Sequence, residues 1–465
     1  MPPASLIIKY LNRNSSVCYS YLSPDCVADT VSEFIIEAAR TVEGNLVDIE
    51  IRNGSIARLC PAGDGDESSF DEDQRYHADG RLVTPTLVEP HTHLDDTLLA
   101  GNPHWNETGT LEEGWKKTHA VRAEMPVSAY TQRAETLLQW FLANGITRVR
   151  SHVNTGPEGL EAVDALIELR SKYQGLIDLQ LVAFPSASLY DGDETKLDRF
   201  EEAIELGLDV VGGIPHKEHT HERAVKHVKT IVDLADRHDK PLDPHIDETD
   251  DPQSRCTGVL ASEVLERGIG DRTTASHVTA LHSYPNAYAD KLIRLLAESG
   301  VSVVTNPLSN AVLQGRYDDY PRRRGHTRID ELHDAGVTVG IGQDDVVDLF
   351  HPYGDGDPLK TVFVLLHFAH MNGQKDVRTL WRMLTEANAS IFGLENSEYG
   401  IKEGAEGSLV VYDGRTPFDV LRTQAPRTLV VNRGQPVART ERKTTIEWDD
   451  NTIEVDFGRP TSKPS

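Results

Sequence analysis

Apolar and polar positions change their period twice along the chain. From Phe34 to Val88 the apolar residues come in short alternating runs (FIIEAAR, LVDIEIRNG, SIARLC), with Asn53-Gly54 between two of them. A period of two predicts half-buried strands, and Asn-Gly is the dipeptide of a tight hairpin turn. After Leu82 the pattern becomes strands alternating with helices. LVTPTLVEP, ITRVRSHV, DLQLVAF, DVVGGI, PLDPHID, RTTASHV, VSVVTNP and VTVGIGQ are the candidate strands. Amphipathic helices fall between them. In Ser128 to Asn144, for example, Ala134, Leu137, Leu138 and Phe141 repeat at helical spacing and Gly145 supplies the stop. Eight such strands predict an α/β fold with a (β/α)8 TIM-like barrel. SLVVYDG and TLVVNRGQPVAR then return to strand. Strands flanking a barrel at both ends predict a small β-sandwich domain built from the N- and C-terminal segments. The expected division is 32–84 plus 396–465 for the β domain and 85–395 for the barrel. Residues 1–31 have no clear period and read as a flexible extension or an upstream start codon.

Composition narrows the function. The chain has 465 residues, 38% hydrophobic and 26% charged, enough apolar material for a large core. No apolar run approaches the ~18–20 residues of a membrane span. The richest stretch, Val362 to Met371, is interrupted by His367 and His370. Lys9 and Arg13 break the first apolar residues, so no secretory h-region forms and a cytoplasmic location is expected. With 74 acidic and 47 basic residues the net charge is −27, which argues against a nucleic-acid partner. Arg outnumbers Lys, 32 to 15, and the acidic excess with this bias predicts a halophilic protein whose self-repulsion is screened by salt. Cys18, Cys26, Cys60 and Cys256 make no CxxC pair and no disulfide framework.

The chemistry lies at strand ends. Glu89-Pro90-His91-Thr92-His93-Leu94-Asp95 ends the first barrel strand, and residues two apart on a strand share a face, so His91 and His93 can aim at one metal. His245 ends the fifth strand with Glu248 three residues on; His277 ends the sixth; Asp344 and Asp345 end the eighth. Each has a bland reading, since a strand-end His can cap a carbonyl and an Asp after Gly can start a turn. Together, three His and one carboxylate on strands one, five and eight can hold one divalent ion, with Glu248 and His277 beside it.

The order of these residues resembles the amidohydrolase superfamily. EPHTHLD, GNPHWNETGTLEEG, DLQLVAFP, HIDETDDPQSR, SHVTALHSY, NPLSNAVLQGRYDDYPRRRG and QDDVVD are more closely similar to bacterial cytosine deaminases, over roughly Glu33 to Arg439. The resemblance implies that His91, His93, His245 and Asp344 bind one Fe(II) or Zn(II) per chain, and imidazole with carboxylate suits either ion. It implies that Glu248 shuttles protons, that His277 holds the water and developing charge, and that Asp344 also accepts a proton. Leu111 matches the position whose backbone contacts the pyrimidine, and Asp345 one beside the exocyclic amine. A homo-oligomer acting in pyrimidine salvage on a small heterocycle is implied as well, with cytosine and water giving uracil and ammonia.

Two positions depart from that pattern. Ser186 stands where the family has Gln after VAFP, and Phe350 where it has Trp. Ser186 and Phe350 therefore open the choice of ring to a triazine, a creatinine-like ring, a pterin, isoguanine or a cyclic amide. Lys217 follows His216 where the pattern has an apolar residue, and reads as a surface lysine or one behind the site rather than a bridging carbamylated lysine. The H-x-E with P-C-x-x-C signature of the other zinc deaminases is absent. A non-catalytic scaffold is disfavoured because every ligand position is kept.

Overall fold

The computed structural model describes residues 33–101, 103–156, 160–448 and 451–457. The expected extension at 1–31, with Cys18 and Cys26, lies outside them. The chain divides into two compact units: residues up to Thr84 with those from Gly407 onward, and Pro85–Glu406.

Among its described residues the first unit is β apart from short helical turns and the helix Pro417–Thr423. One sheet pairs Ser55–Pro61, Leu46–Arg52, Glu33–Arg40 and Arg75–His77 in that order, burying Ile35, Ile36, Ile49 and Ile51. Arg52 faces Ser55 across the turn, and Asn53 and Gly54 take φ of 52° and 75°. Positive φ at both central residues is what a two-residue hairpin loop demands, so the Asn-Gly signal has its expected geometry. The second sheet orders Gln435–Arg439, Arg427–Asn432, Leu409–Tyr412 and Val83–Pro85, and a separate hairpin pairs Thr445–Trp448 with Asn451–Glu454.

The second unit carries two four-stranded parallel sheets. Leu87–Thr92, Ile146–Asn154, Asp178–Phe184 and Val210–Val211 form one; His245–Ile246, Thr274–His277, Ser302–Thr305 and Val339–Ile341 form the other. Isolated parallel bridges, Val211 to Leu242 and Thr92 to Asp344, join them at both sides, so eight strands follow one another in chain order round a circuit. This is the TIM-like arrangement read from the alternation. The fifth strand is shorter than PLDPHID suggested: Pro241 and Pro244 have no N–H to give, and only Leu242, His245 and Ile246 pair. The helix expected over Ser128 to Asn144 spans Val127–Ala143 and buries Ala134, Leu137, Leu138 and Phe141; Gly145, with φ 80°, turns the chain just beyond it.

The C-terminal edge of the barrel unit differs from expectation. Residues 396–406, assigned by sequence to the β domain, belong to this unit. Leu394 and Tyr399 pack on Val88, Ala389 and Phe392, and the Tyr399 hydroxyl donates to the Thr86 carbonyl at 2.8 Å. A polar, turn-rich segment gives no periodic signal for such docking. Among the described residues no helix is long and apolar enough to cross a membrane.

A buried ion pair sits inside the strand circuit. Arg150 donates to Asp243 at 2.9 Å, to Gln180 at 3.0 Å and to the Ile391 carbonyl at 2.6 Å. Removing one partner of such a pair strands the other charge, a loss of about 3–5 kcal/mol. Arg150→Ala should lower unfolding stability by about that amount in urea titration; a loss under about 1 kcal/mol would show that water reaches Asp243 freely.

Candidate active site

The C-terminal ends of the strands converge. His91 closes the first strand and His93 follows it; His245 opens the short fifth; His277 ends the sixth; Asp344 bridges back to Thr92 just beyond the eighth. Asp344 N donates to the His91 carbonyl at 2.7 Å, which ties the last strand end to the first. Backbone in the left-handed region gathers here, at Ser186 (φ 50°), Asp247 (50°), His277 (73°) and Asp344 (63°). Non-glycine residues hold such angles only where surrounding bonds enforce them.

The four expected ligands come together. His93 Nε2 lies 3.0 Å from His245 Nε2. Asp344 Oδ1 lies 3.2 Å from His91 Nε2 and 3.4 Å from His93 Nε2. His91 Nε2 is buried with no hydrogen-bond partner. Facing imidazole nitrogens, an unpaired one and a carboxylate in one buried space form a donor set that fits a divalent ion. His277 is closer to this group than expected for a bystander. One ligand atom from each of His91, His245, His277 and Asp344 lies within 4.8 Å of the others, and His91, His93 and His152 make an overlapping set.

Burial decides the charge of these groups. It pulls His91 down to about 4 and His245 well below the usual histidine range, so both imidazoles are neutral and keep a lone pair for a ligand. Burial also acts to lower His93, but the Asp344 carboxylate outweighs it and the net shift is upward. Burial alone would raise Asp344; the surrounding His277, His91 and His93 hold it well below the carboxylate range instead. Glu248 is raised by burial, reinforced by Asp344 and opposed by His277 and Lys217. A carboxyl with a raised pKa beside a ligand group is suited to carrying a proton. His277 Nδ1 lies 3.7 Å from Glu248 Oε1.

A cleft in this unit opens onto the group. It is lined by His93, His245, Glu248 and Asp344, together with Leu111, Ser186, Asp345 and Phe350. The helix Leu111–Arg122 supplies one wall through Leu111, Trp115, Thr118, His119 and Arg122. Spacings of three and four put these residues on one helical face. Phe350 lies so close to that helix that a Cβ on Gly114 would sit 2.7 Å from its ring. The Ser186 hydroxyl bonds the Asn154 side-chain carbonyl. Lys217, read from the sequence as a surface lysine or one behind the site, is half-buried, and its ammonium lies 4.0 Å from the Trp115 ring centroid.

Several residues escaped the sequence reading. Glu89 is buried, pushed up to about 8 by desolvation, and accepts the amides of His91 (3.1 Å) and Gln343 (2.9 Å). It thereby links strands one and eight; its place two residues before His91 was the available signal. Ser276 lies 2.9 Å from His91 Nδ1 and donates to Asp243 at 2.6 Å, which leaves His91 Nε2 for the ligand space. His152, near the end of ITRVRSHV, has its ring centroid 4.1 Å from that of His91 at a tilt of 37°, with Nε2 3.0 Å from the Asp243 carbonyl. Asn310 places its amide 3.1 Å from His277 Nδ1.

Residues 99–438 match the model of the Amidohydrolase family Amidohydro_3. The chain belongs to the amidohydrolase family. A solved 5-methylcytosine deaminase from Klebsiella pneumoniae, liganded with 5-fluorocytosine, is 37% identical, covers 90% of this chain and all of its own, and superposes with a TM-score of 0.85. A pterin deaminase of Rhizobium rhizogenes is 28% identical over 91% of this chain and 97% of its own. N-isopropylammelide isopropyl amidohydrolase of Pseudomonas sp. strain ADP is 26% identical over 78% and 88%. This amidohydrolase is a metal-dependent enzyme that hydrolyses carbon–nitrogen bonds, of the deaminase kind, with a divalent ion as cofactor.

The candidate roles separate by experiment. His91→Ala should lose most of about one equivalent of iron or zinc in metal analysis. Glu248→Gln should keep the metal and lose at least ~10²-fold in kcat, the scale of a general acid/base. Full metal in the first variant, or full rate in the second, would remove that residue from its role.

Proposed function

We propose that this amidohydrolase deaminates a cytosine-like aminated ring to the corresponding carbonyl compound, releasing ammonia. The observation that carries the reading is the position of Glu248, a buried carboxyl of raised pKa on the wall of the cleft that also exposes His93, His245 and Asp344. The 37% identity to a 5-methylcytosine deaminase supports the ring class.

A bound divalent ion, Fe(II) or Zn(II) being equally suited to His91, His93, His245 and Asp344, would make water a nucleophile near neutral pH. The chain's groups handle the protons. Glu248 carries one to the ring nitrogen next to the attacked carbon. Asp344 accepts the second water proton and passes it toward the exocyclic amine, which leaves as ammonia. His277 steadies the negative charge that builds on the attacking oxygen. Leu111 offers its backbone to the ring, and Asp345 faces the leaving amine. Burial and the neighbouring Asp344 hold Asp345 well above the carboxylate range, so it is a neutral donor or acceptor there. The wider reading is a cytoplasmic homo-oligomer of pyrimidine salvage adapted to concentrated salt.

Ser186 decides which ring. Its hydroxyl is engaged by Asn154, and it is shorter than the Gln of cytosine deaminases. Cytosine then loses up to two hydrogen bonds, each unsatisfied buried group costing about 1–3 kcal/mol. Room for a larger substituent is gained in exchange. Wild type should therefore turn over cytosine weakly and a bulkier or differently substituted ring better, in an ammonia-release screen over cytosine, 5-methylcytosine, isoguanine, creatinine and aminotriazines. Ser186→Gln should raise kcat/KM for cytosine and lower it for the preferred ring. Wild-type kcat/KM for cytosine above ~10⁶ M⁻¹s⁻¹ would refute the argument.

A further inference from the structure

Lys217 has no part in the chemistry above, yet its surroundings are unusual for a lysine. It follows Ile214, a cleft residue, by three positions in the turn Pro215–Lys217 after the fourth strand. The residue is only partly exposed, and its ammonium has neither a hydrogen-bond nor an ion-pair partner among the described residues. Burial lowers its pKa, against the opposing pull of Glu248 and Glu112. What it does have is the face of Trp115, with Nζ 4.0 Å from the ring centroid. An ammonium that has given up water gains most from an indole face, because the ring quadrupole replaces part of the lost hydration.

Trp115 is the middle of the cleft wall. Its helix is pinned at the far end, where buried Arg122 donates to Asp96 (Nε, 2.8 Å) and to Asp95 (3.3 Å). Among the described residues, the other ring contact of Trp115 is an edge contact with His119, at 5.9 Å between centroids. Lys217 is thus the charged group that ties this wall to the turn after strand four.

We propose that Lys217 is a positioning residue for substrate: it fixes the Trp115 indole as a flat wall against which an aminated planar ring is held, and so sets ring affinity without entering the proton transfers. The proposal rests on the deaminase reading of the cleft.

The test uses full-length holoenzyme and the ring that wild type turns over best. Lys217→Met, similar in length and uncharged, should raise KM by about 3- to 30-fold, the affinity range of a cation–π contact, with kcat within about twofold. Its tryptophan emission should shift, and Lys217→Arg should restore both KM and emission. In a Trp115→Phe background Lys217→Met should add nothing to either readout, because the two residues act as a pair. Lys217→Gln serves if the Met variant does not fold. A fall in kcat at constant KM would overturn the proposal and place the ammonium on Glu248 instead; equal effects with and without Trp115 would also overturn it. Should wild type turn over no aminated ring, the deaminase reading fails. The pin is then judged by emission alone: a shift dependent on Trp115 supports it and no shift overturns it.

Discussion

Four imidazoles and a carboxylate share one buried space at the strand ends, and most of the second unit serves to hold them there. Such a gathering is unfavourable by itself: each ring gives up water, and any protonated ring repels its neighbours. Asp344 offsets part of this by attracting His91 and His93, and burial keeps His91 and His245 neutral. What remains is a set of nitrogen and oxygen lone pairs in one buried space, which a divalent cation would complete.

The orientation of those lone pairs is set several residues away. Arg150 binds Asp243, Asp243 accepts from Ser276, and Ser276 meets His91 Nδ1, so a chain of polar contacts runs from the inside of the strand circuit to one face of the first imidazole. Glu89 performs a similar task across the seam, holding the amides of His91 and Gln343 on one carboxyl. Neighbours of this kind fix ring tautomer and angle, and a barrel of short strands gives them a rigid base. The left-handed backbone at His277 and Asp344 fits the same picture, since local strain persists only where such bonds over-determine the chain.

The sequence made much of this legible, for identifiable reasons. A HxH at a strand end shares a face by geometry, and the eight alternating strand and helix signals are periodic, so the barrel and the gathering of His91, His93, His245 and Asp344 could be read before any coordinates. Leu111, Ser186, Asp345 and Phe350 carried no periodic signal and rested on family resemblance; all four line the cleft. Glu89, Ser276 and His152 were missed because their importance lies in contacts between strands distant in sequence. The docking of 396–406 on the barrel unit was hidden for a related reason: Tyr399 finds Thr86 some 300 positions earlier, and no local pattern announces it. The fifth strand, read over the whole of PLDPHID, is cut short by Pro241 and Pro244, a signal that the sequence carried and the periodic reading passed over.

The central claim is that His93, rather than His277, joins His91, His245 and Asp344 as a ligand and leaves His277 free to act on the substrate. Geometry alone brings both imidazoles near the group. Anomalous scattering from crystals of the metal-loaded enzyme, recorded at the iron and zinc edges, tests this directly. The account predicts one peak per chain, within about 2.0–2.3 Å of a nitrogen from each of His91, His93 and His245 and an oxygen of Asp344, with His277 beyond bonding distance. A peak bonded to His277 and not His93, or a second peak of equal height near Lys217, would contradict it.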